Sequence, residues 1–110
     1  MIRAIFRTST LLAGLFLSFA LLASDPFWID VRSAEEYQSG HVTEAVNIPY
    51  EEIGTRIGEV TEDKDAVIYV YCRSGRRSGI ARETLMEAGY THVVNLGSLE
   101  DALAKAGKEP

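Results

Sequence analysis

The segment that most constrains the fold is an apolar run, residues 66–71, which ends directly before the protein's single cysteine, Cys72. Every residue of this run is apolar or aromatic, whereas a strand with one face in water alternates apolar and polar residues. A continuous run is typical of a strand that is covered on both faces, as in a parallel sheet with helices on either side. The run therefore predicts a buried strand of an α/β domain.

The rest of the chain alternates between strand and helix patterns. Ser33 and Glu36 have the spacing of a capping box, and Gly40 stands where a helix would close. Because strands and helices alternate, we expect a small parallel-sheet domain with helices on both faces. The predicted strands are 27–31, 45–48, 66–71 and 92–96, and the predicted helices are 33–40, 50–60, 80–88 and 99–106.

The first 23 residues have the composition of a secretory signal. Arg3 and Arg7 precede an almost wholly apolar segment, 11–22, and small residues follow it. The segment is shorter than the roughly 20 apolar residues of a comfortable transmembrane span. We expect cleavage after Ala23, with Ala20 as the alternative, so that 1–23 is a signal peptide and 24–110 is the folded domain. Export would place that domain in an oxidising compartment, most simply a bacterial periplasm.

The charge of the chain excludes several classes of partner. The net charge is −5 at pH 7, and loss of Arg3 and Arg7 with the signal makes it two units more negative. An acidic domain of this kind is a poor ligand for nucleic acid or for an anionic membrane surface. We therefore expect small-molecule partners, no stable membrane contact after signal cleavage, and a soluble monomer.

Arginine and glycine surround the cysteine in the sequence Cys72-Arg73-Ser74-Gly75-Arg76-Arg77-Ser78. A loop between a strand and a helix directs backbone N–H groups and the helix N-terminus toward an anion. A thiol in that position has a lowered pKa and reacts as the thiolate. Because Cys72 has no partner for an internal disulfide, either intermolecular pairing or a reactive thiol is expected, and the loop favours the reactive thiol.

Other polar residues carry weaker signals. Gly75 is expected to need a positive φ to close the loop. Ser74 and Ser78 are candidate hydrogen-bond donors without a catalytic role, and His41 is expected to be structural. The scattered His41, His92 and Cys72 do not form a zinc motif, so neither a metal nor another cofactor is expected.

Several motifs, taken together and in order, resemble those of rhodanese-like domains. They are residues 30–32 (DVR), 36–37 (EY), 40–42 (GHV), 45–49 (AVNIP), 72–78 (CRSGRRS), 89–90 (GY) and 93–97 (VVNLG). With the signal segment and the small size, the chain is most similar to the small periplasmic single-domain thiosulfate sulfurtransferases of the phage-shock type. It departs from the family at Glu44 and Ser98, where glycines are usual.

The resemblance implies a thiosulfate sulfurtransferase. Cys72 would attack the outer sulfur of thiosulfate, carry a persulfide, and pass the sulfur to a thiophilic acceptor such as cyanide or a thiol. Asp30 and Arg32 would support the loop from the neighbouring strand end. The residues that would bind the substrate are Arg73, Ser74, Gly75, Arg76 and Arg77.

Two other functions remain open at this stage. The same loop could serve a persulfide carrier that passes sulfur to a partner protein. Related Cys–Arg loops also bind tetrahedral oxyanions in phosphatases and arsenate reductases, but those place five residues between Cys and Arg, whereas Cys72 and Arg77 have four between them. The shorter loop favours a single sulfur atom over a phosphate group.

Overall fold

The computed structural model describes residues 25–108, which form one four-stranded, wholly parallel sheet. The strands are β1 (Phe27–Asp30), β2 (Val46–Asn47), β3 (Val67–Cys72) and β4 (His92–Ser98), in the order β2-β1-β3-β4. The apolar run thus forms β3, which has a strand neighbour on each side. This confirms the predicted parallel sheet and places Cys72 at the carboxyl end of a central strand.

Within residues 25–108, four α-helices connect or follow the strands: α1 (Ala34–Gln38), α2 (Ile53–Arg56), α3 (Arg76–Glu87) and α4 (Leu99–Lys108). The capping box predicted for α1 is present, because Ser33 and Glu36 exchange hydrogen bonds between side chain and backbone. Ser39 is the C-cap residue of α1, and Gly40 follows with a φ of 150°. Local capping chemistry therefore sets both ends of this helix.

The sheet has an apolar core on each face, because successive side chains of a strand point in opposite directions. One core joins Ile68, Val70 and Cys72 of β3 to buried residues of α2 and α3, such as Ile53 and Leu85. The other core includes Trp28, Val42, Ala45, Tyr71 and Ala102, with Tyr37, Tyr69 and Leu99 packed against it. The helices accordingly cover both faces, as the sequence predicts.

Most predicted boundaries shift by one or two residues, and three elements change in a way that has an identifiable cause. The helix predicted over 50–60 is divided into two 3₁₀ turns, Tyr50–Glu52 and Ile57–Glu59, around the four-residue α2. Gly54 and Gly58 lower the helical propensity of this segment. The second strand keeps only Val46–Asn47, because Pro49 follows closely and cannot donate a ladder hydrogen bond.

The third difference changes the environment of the cysteine loop. Helix α3 begins at Arg76 and not at Ile80, so Arg76, Arg77 and Ser78 lie in its first turn. Gly75 provides the N-cap position directly after the loop, so the helix begins four residues earlier than predicted. The cysteine therefore lies closer to a helix N-terminus than the sequence indicates.

The predicted signal segment, 1–23, lies outside the described residues. Among residues 25–108, no helix is long and apolar enough to cross a membrane.

Candidate active site at the Cys72 loop

The loop after β3 is closed by a glycine in the left-handed region. Gly75 has φ 95° and ψ −10°, a conformation that L residues with a side chain rarely adopt, and this confirms the predicted positive φ. A Cβ at this position would also lie 3.5 Å from the Gly97 Cα atom. Gly75 thus lets the chain turn from the end of β3 into α3 within three residues.

Donors from the loop and from the first turn of α3 approach the sulfur of Cys72, whose side chain is completely buried. The backbone N–H of Gly75 donates to Sγ at 3.0 Å, and the Ser78 hydroxyl lies 3.3 Å from Sγ. Both donors come from the loop and the first turn of α3. The sulfur therefore occupies the position of an anion at a helix N-terminus.

These donors change the acidity of the thiol. Burial raises the pKa of Cys72, since a thiolate loses solvation in the interior. Hydrogen bonds from the Ser78 hydroxyl and from the backbone amides of Ser78, Ser74 and Gly75 act in the opposite direction and prevail. The pKa of the Cys72 thiol falls to about 7. A thiol with this pKa supplies far more thiolate near neutral pH than an ordinary cysteine does.

Asn95 is the site residue that sequence reasoning missed, whereas Ser78 is a hydrogen-bond donor, as predicted. The Ser78 hydroxyl lies between Cys72 Sγ and the Asn95 side chain, 2.7 Å from Asn95 Oδ1. Asn95 appears in the sequence analysis only within a predicted strand and within the motif at 93–97. A polar residue near the carboxyl end of a strand is the signal that could have identified it.

Arg77 forms an ion pair with a residue of the first helix. Its guanidinium donates to both carboxylate oxygens of Glu36, at 2.8 and 3.0 Å. The hydrogen bonds from Arg77 prevail over burial and, with help from Ser33, lower the pKa of Glu36 to about 2. Glu36 therefore caps α1 and also binds the first turn of α3. The Arg77 guanidinium is paired with this carboxylate.

The other two arginines of the loop are exposed, as is Ser74. Arg73 lines a surface hollow together with Arg32, Glu36 and Ser98, and Arg76 lines another with Gly75 and Asn95. Their positive charges stand at the rim of the loop on a domain that is otherwise acidic. They are the arginines available to meet an anion that approaches from solvent.

Asp30 and Arg32 form a buried pair next to the loop. The Arg32 Nη2 atom lies 2.7 Å from Asp30 Oδ2, and Arg32 Nε contacts both Asp30 oxygens. Arg32 Nη2 also donates to the Gly40 carbonyl at 2.7 Å. The pair thus ties the end of β1 to the end of α1, and no hydrogen bond joins it to residues 73–77 in the described part of the chain.

The two departures from the family's glycines lie in ordinary local structure. Ser98 precedes α4 and exchanges hydrogen bonds with Asp101, so it acts as an N-cap. Glu44 is exposed in the turn before β2.

His41 stacks on Tyr37 with ring centroids 3.6 Å apart, and its Nδ1 lies 2.7 Å from the Tyr37 carbonyl oxygen. Within residues 25–108, no group of three His, Cys, Asp or Glu residues could hold a metal ion.

Comparison with known proteins assigns the family. A model of the rhodanese-like domain matches residues 19–104. The chain belongs to the rhodanese-like family. It is 46% identical, over 87% of its length, to a thiosulfate sulfurtransferase of Escherichia coli (strain K12), PspE, and the match covers 91% of that protein. The chain is therefore a rhodanese-type sulfurtransferase, with a single cysteine that suits a persulfide mechanism.

Two further comparisons concern this rhodanese-like domain. A solved structure described as a rhodanese with anions from E. coli superposes with a TM-score of 0.68 at 51% identity, covering 70% of this chain and 91% of that one. A putative sulfur carrier protein of Bacillus subtilis (strain 168), YrkF, is 40% identical over 68 residues. The aligned region is only 36% of that protein.

Proposed function

We propose that this rhodanese-like domain takes the outer sulfur of thiosulfate onto Cys72 and passes it to a small thiophilic acceptor, such as cyanide or a thiol. One observation carries the proposal: the Cys72 sulfur lies beneath the loop, with the Gly75 N–H donating to it at 3.0 Å. A sulfur anion held in this way is a nucleophile at neutral pH.

The reaction consists of two displacements at sulfur. The Cys72 thiolate attacks the outer sulfur of thiosulfate, an S–S bond forms, and sulfite leaves with the electron pair of the broken S–S bond. Cyanide or a thiolate then attacks the outer sulfur of the persulfide and restores the Cys72 thiolate. No external oxidant, reductant or cofactor is needed. Backbone amides from the loop stabilise the negative sulfur in each step, as an oxyanion hole stabilises oxygen.

The loop arginines have different roles in this proposal. Arg73 and Arg76 are exposed and attract the thiosulfate dianion to the rim, with Ser74 beside them. Arg77 contributes positive charge while it remains bound to Glu36. Asp30 and Arg32 act indirectly, because they fix the neighbouring strand end.

We also propose that the domain is exported as a monomer and works in the periplasm, with residues 1–23 removed. The basis is the basic and apolar composition of the first 23 residues together with the charged surface of the domain. Residues 24–110 would then be the working enzyme.

Intact mass spectrometry of the protein purified from an exported fraction tests these proposals together. The starting mass should correspond to cleavage after Ala23. Thiosulfate should add about 32 Da, the mass of one sulfur atom in a persulfide. Cyanide should then remove that mass and release thiocyanate. Cys72→Ser, which lacks the nucleophile, should show no gain.

The outcomes separate the rival functions. No gain of mass with a free, accessible thiol would exclude thiosulfate as the donor. A persulfide that forms but resists cyanide and small thiols would indicate a carrier, which YrkF's name suggests for that relative. An unprocessed N-terminus would contradict export without affecting the chemistry.

A further inference from the structure

The side chain of Asn95 is fixed on three sides by groups around the cysteine. Its Nδ2 donates to the Gly75 carbonyl at 3.0 Å. Its Oδ1 accepts from the Ser78 hydroxyl at 2.7 Å and from the Gly97 N–H at 3.0 Å. Two of these partners, Gly75 and Ser78, are also the groups that contact Cys72 Sγ. Asn95 thus binds the two residues, Gly75 and Ser78, whose N–H and hydroxyl groups contact the sulfur, and it has no hydrogen bond of its own to the sulfur among the described residues.

The sheet contains a local irregularity that brings Asn95 to this point. Val70 pairs with Asn95, but the next residue, Tyr71, pairs with Gly97, so β4 has one extra residue, Leu96, at the end of the strand. Such a bulge redirects the side chains around it. Gly97 has a positive φ of 94°, and a Cβ there would lie 2.9 Å from Asp101 Oδ2. The bulge and this glycine allow the Gly97 N–H to turn back to Asn95.

Two glycines of the facing segment leave space for the amide. A Cβ at Gly79 would lie 3.5 Å from Asn95 Nδ2, and one at Gly75 would lie 3.9 Å from it. The amide therefore packs against the bare backbone of the loop and of the first turn of α3. The rest of the Asn95 side chain is exposed, so its hydrogen bonds, and not burial, set the position of the amide.

The proton of Ser78 can be directed to either of two neighbours. A hydroxyl has one proton and can both donate and accept. When Cys72 is a thiol, Ser78 can donate to Asn95 Oδ1 and accept the S–H. When Cys72 is a thiolate, Ser78 can donate to Sγ, and Asn95 Oδ1 keeps its bond from the Gly97 N–H. The network is thus satisfied in both protonation states of the nucleophile.

We propose that Asn95 is a positioning residue for sulfur transfer, which acts through the Ser78 hydroxyl and the Gly75 backbone to set the donors on the Cys72 sulfur. The proposal rests on the assignment of Cys72 as the sulfur-accepting nucleophile. A merely structural Asn95 would contribute to folding stability but would not change the ionisation of Cys72 or the rate of its reactions.

Several charged groups near Asn95 also affect the electrostatic potential at the Cys72 sulfur. Arg77 lies near Cys72 in the first turn of α3, Arg76 lines the same hollow as Asn95, and Asp101 lies beside Gly97. None of these side chains has a hydrogen bond to the Asn95 amide in the described part of the chain. A change at Asn95 can therefore be compared with an equal change of charge placed nearby.

The decisive variant is Asn95→Asp, assayed by the pH dependence of Cys72 alkylation. Aspartate keeps an oxygen that accepts from the Ser78 hydroxyl and, because it is charged, attracts the Ser78 proton more strongly than the amide does. It also adds negative charge near the sulfur and removes the side-chain donor to the Gly75 carbonyl. We expect the midpoint of the alkylation profile to rise by about one pH unit. Val94→Asp places the same charge one residue earlier, where the side chain is exposed, and should shift the midpoint much less.

A double-variant cycle tests whether Asn95 acts through Ser78. In a Ser78→Ala background, the shift caused by Asn95→Asp should be at most half as large, because the intermediate hydroxyl is missing. Equal shifts in both backgrounds, or equal shifts from Val94→Asp, would overturn the proposal. Alkylation needs no thiosulfate, so this result is independent of the mass measurement that tests sulfur transfer.

A second substitution covers the case in which the aspartate variant does not fold. In Asn95→Ala the Ser78 proton has only the sulfur to bind, so the alkylation midpoint should stay at or below that of the parent. The kcat/KM for thiosulfate should fall about tenfold, since the Gly75 carbonyl loses its side-chain donor. An unchanged kcat/KM in a folded Asn95→Ala protein would also overturn the proposal.

Discussion

Two arginine–carboxylate pairs flank the cysteine loop, and they differ in burial and in what they connect. Asp30 and Arg32 are two residues apart, with side chains 0% and 8% exposed. Glu36 and Arg77 are 41 residues apart in the chain, with side chains 29% and 22% exposed. The first pair closes a corner of the fold, whereas the second joins helix α1 to the first turn of α3.

The difference indicates which pair the reaction can use. A buried pair cannot release its arginine, because the remaining charge would lie unpaired in the interior. A partly exposed pair is worth little to stability, and water can replace either partner. In the proposed reaction Arg77 therefore adds positive charge at the loop and becomes available to an anion once the Glu36 carboxylate is removed, while Arg32 stays bound to Asp30 and holds the strand end. The following predictions test that division.

The largest expected effect comes from breaking the buried pair. Asp30→Ala leaves the Arg32 guanidinium uncompensated, so the free energy of unfolding should fall by about 3–5 kcal/mol. Urea denaturation measures the change. Glu52→Ala provides the matched control, since it removes one partner of the exposed Arg56 pair and should cost less than about 1 kcal/mol. Comparable losses in both variants would mean that the Asp30 pair has no special structural role.

A smaller, functional effect is expected from the exposed pair. Glu36→Gln keeps a side-chain oxygen for the capping box but removes the charge that neutralises Arg77. The KM for thiosulfate should fall about two- to fivefold at low salt, and the effect should diminish as salt is added. Steady-state kinetics measures both.

The control for that prediction is Glu35→Gln, which removes the same charge from the same exposed turn without a bond to Arg77. It should leave KM nearly unchanged. If both variants lower KM equally, general electrostatics accounts for the result, and Arg77 has no particular role in binding the anion.

The smallest effect is the response of the exposed pair to acid. The pKa of Glu36 is lowered from 4.5 to about 2, so the native state holds the carboxylate more strongly than the unfolded chain does. Its contribution to stability is therefore complete above pH 4.5 and is lost as the pH falls through about 2. The difference in Tm between the parent and Glu36→Gln should shrink over this window. A constant difference would show that the charge does not contribute.

Local patterns predict the fold well, since they depend on neighbouring residues. The apolar run predicts the central strand, the Ser33/Glu36 spacing predicts the capping box, and a glycine within a tight loop predicts the positive φ of Gly75. Each of these features is fixed by the periodicity of burial or by the conformational freedom of one residue. The structure confirms all three.

The site is predicted less completely, because its contacts join distant parts of the chain. The pairing of Arg77 with Glu36 depends on how α1 packs relative to α3, and the contact of Asn95 with Ser78 depends on a bulge in β4. Neither of these two contacts can be inferred from the spacing of neighbouring residues in the sequence. The sequence therefore identifies the cysteine and its loop but not the side chains that orient them.

Burial of Cys72 has a consequence for the fate of a lone thiol. A disulfide between two copies would require their Cα atoms to lie within about 7 Å of each other. Two folded domains meet this condition less readily when each sulfur is buried in the apolar core of its own domain. Burial thus disfavours covalent dimers, whereas the small reagents of the proposed cycle still have to reach the sulfur, so Cys72 selects its reaction partners by size.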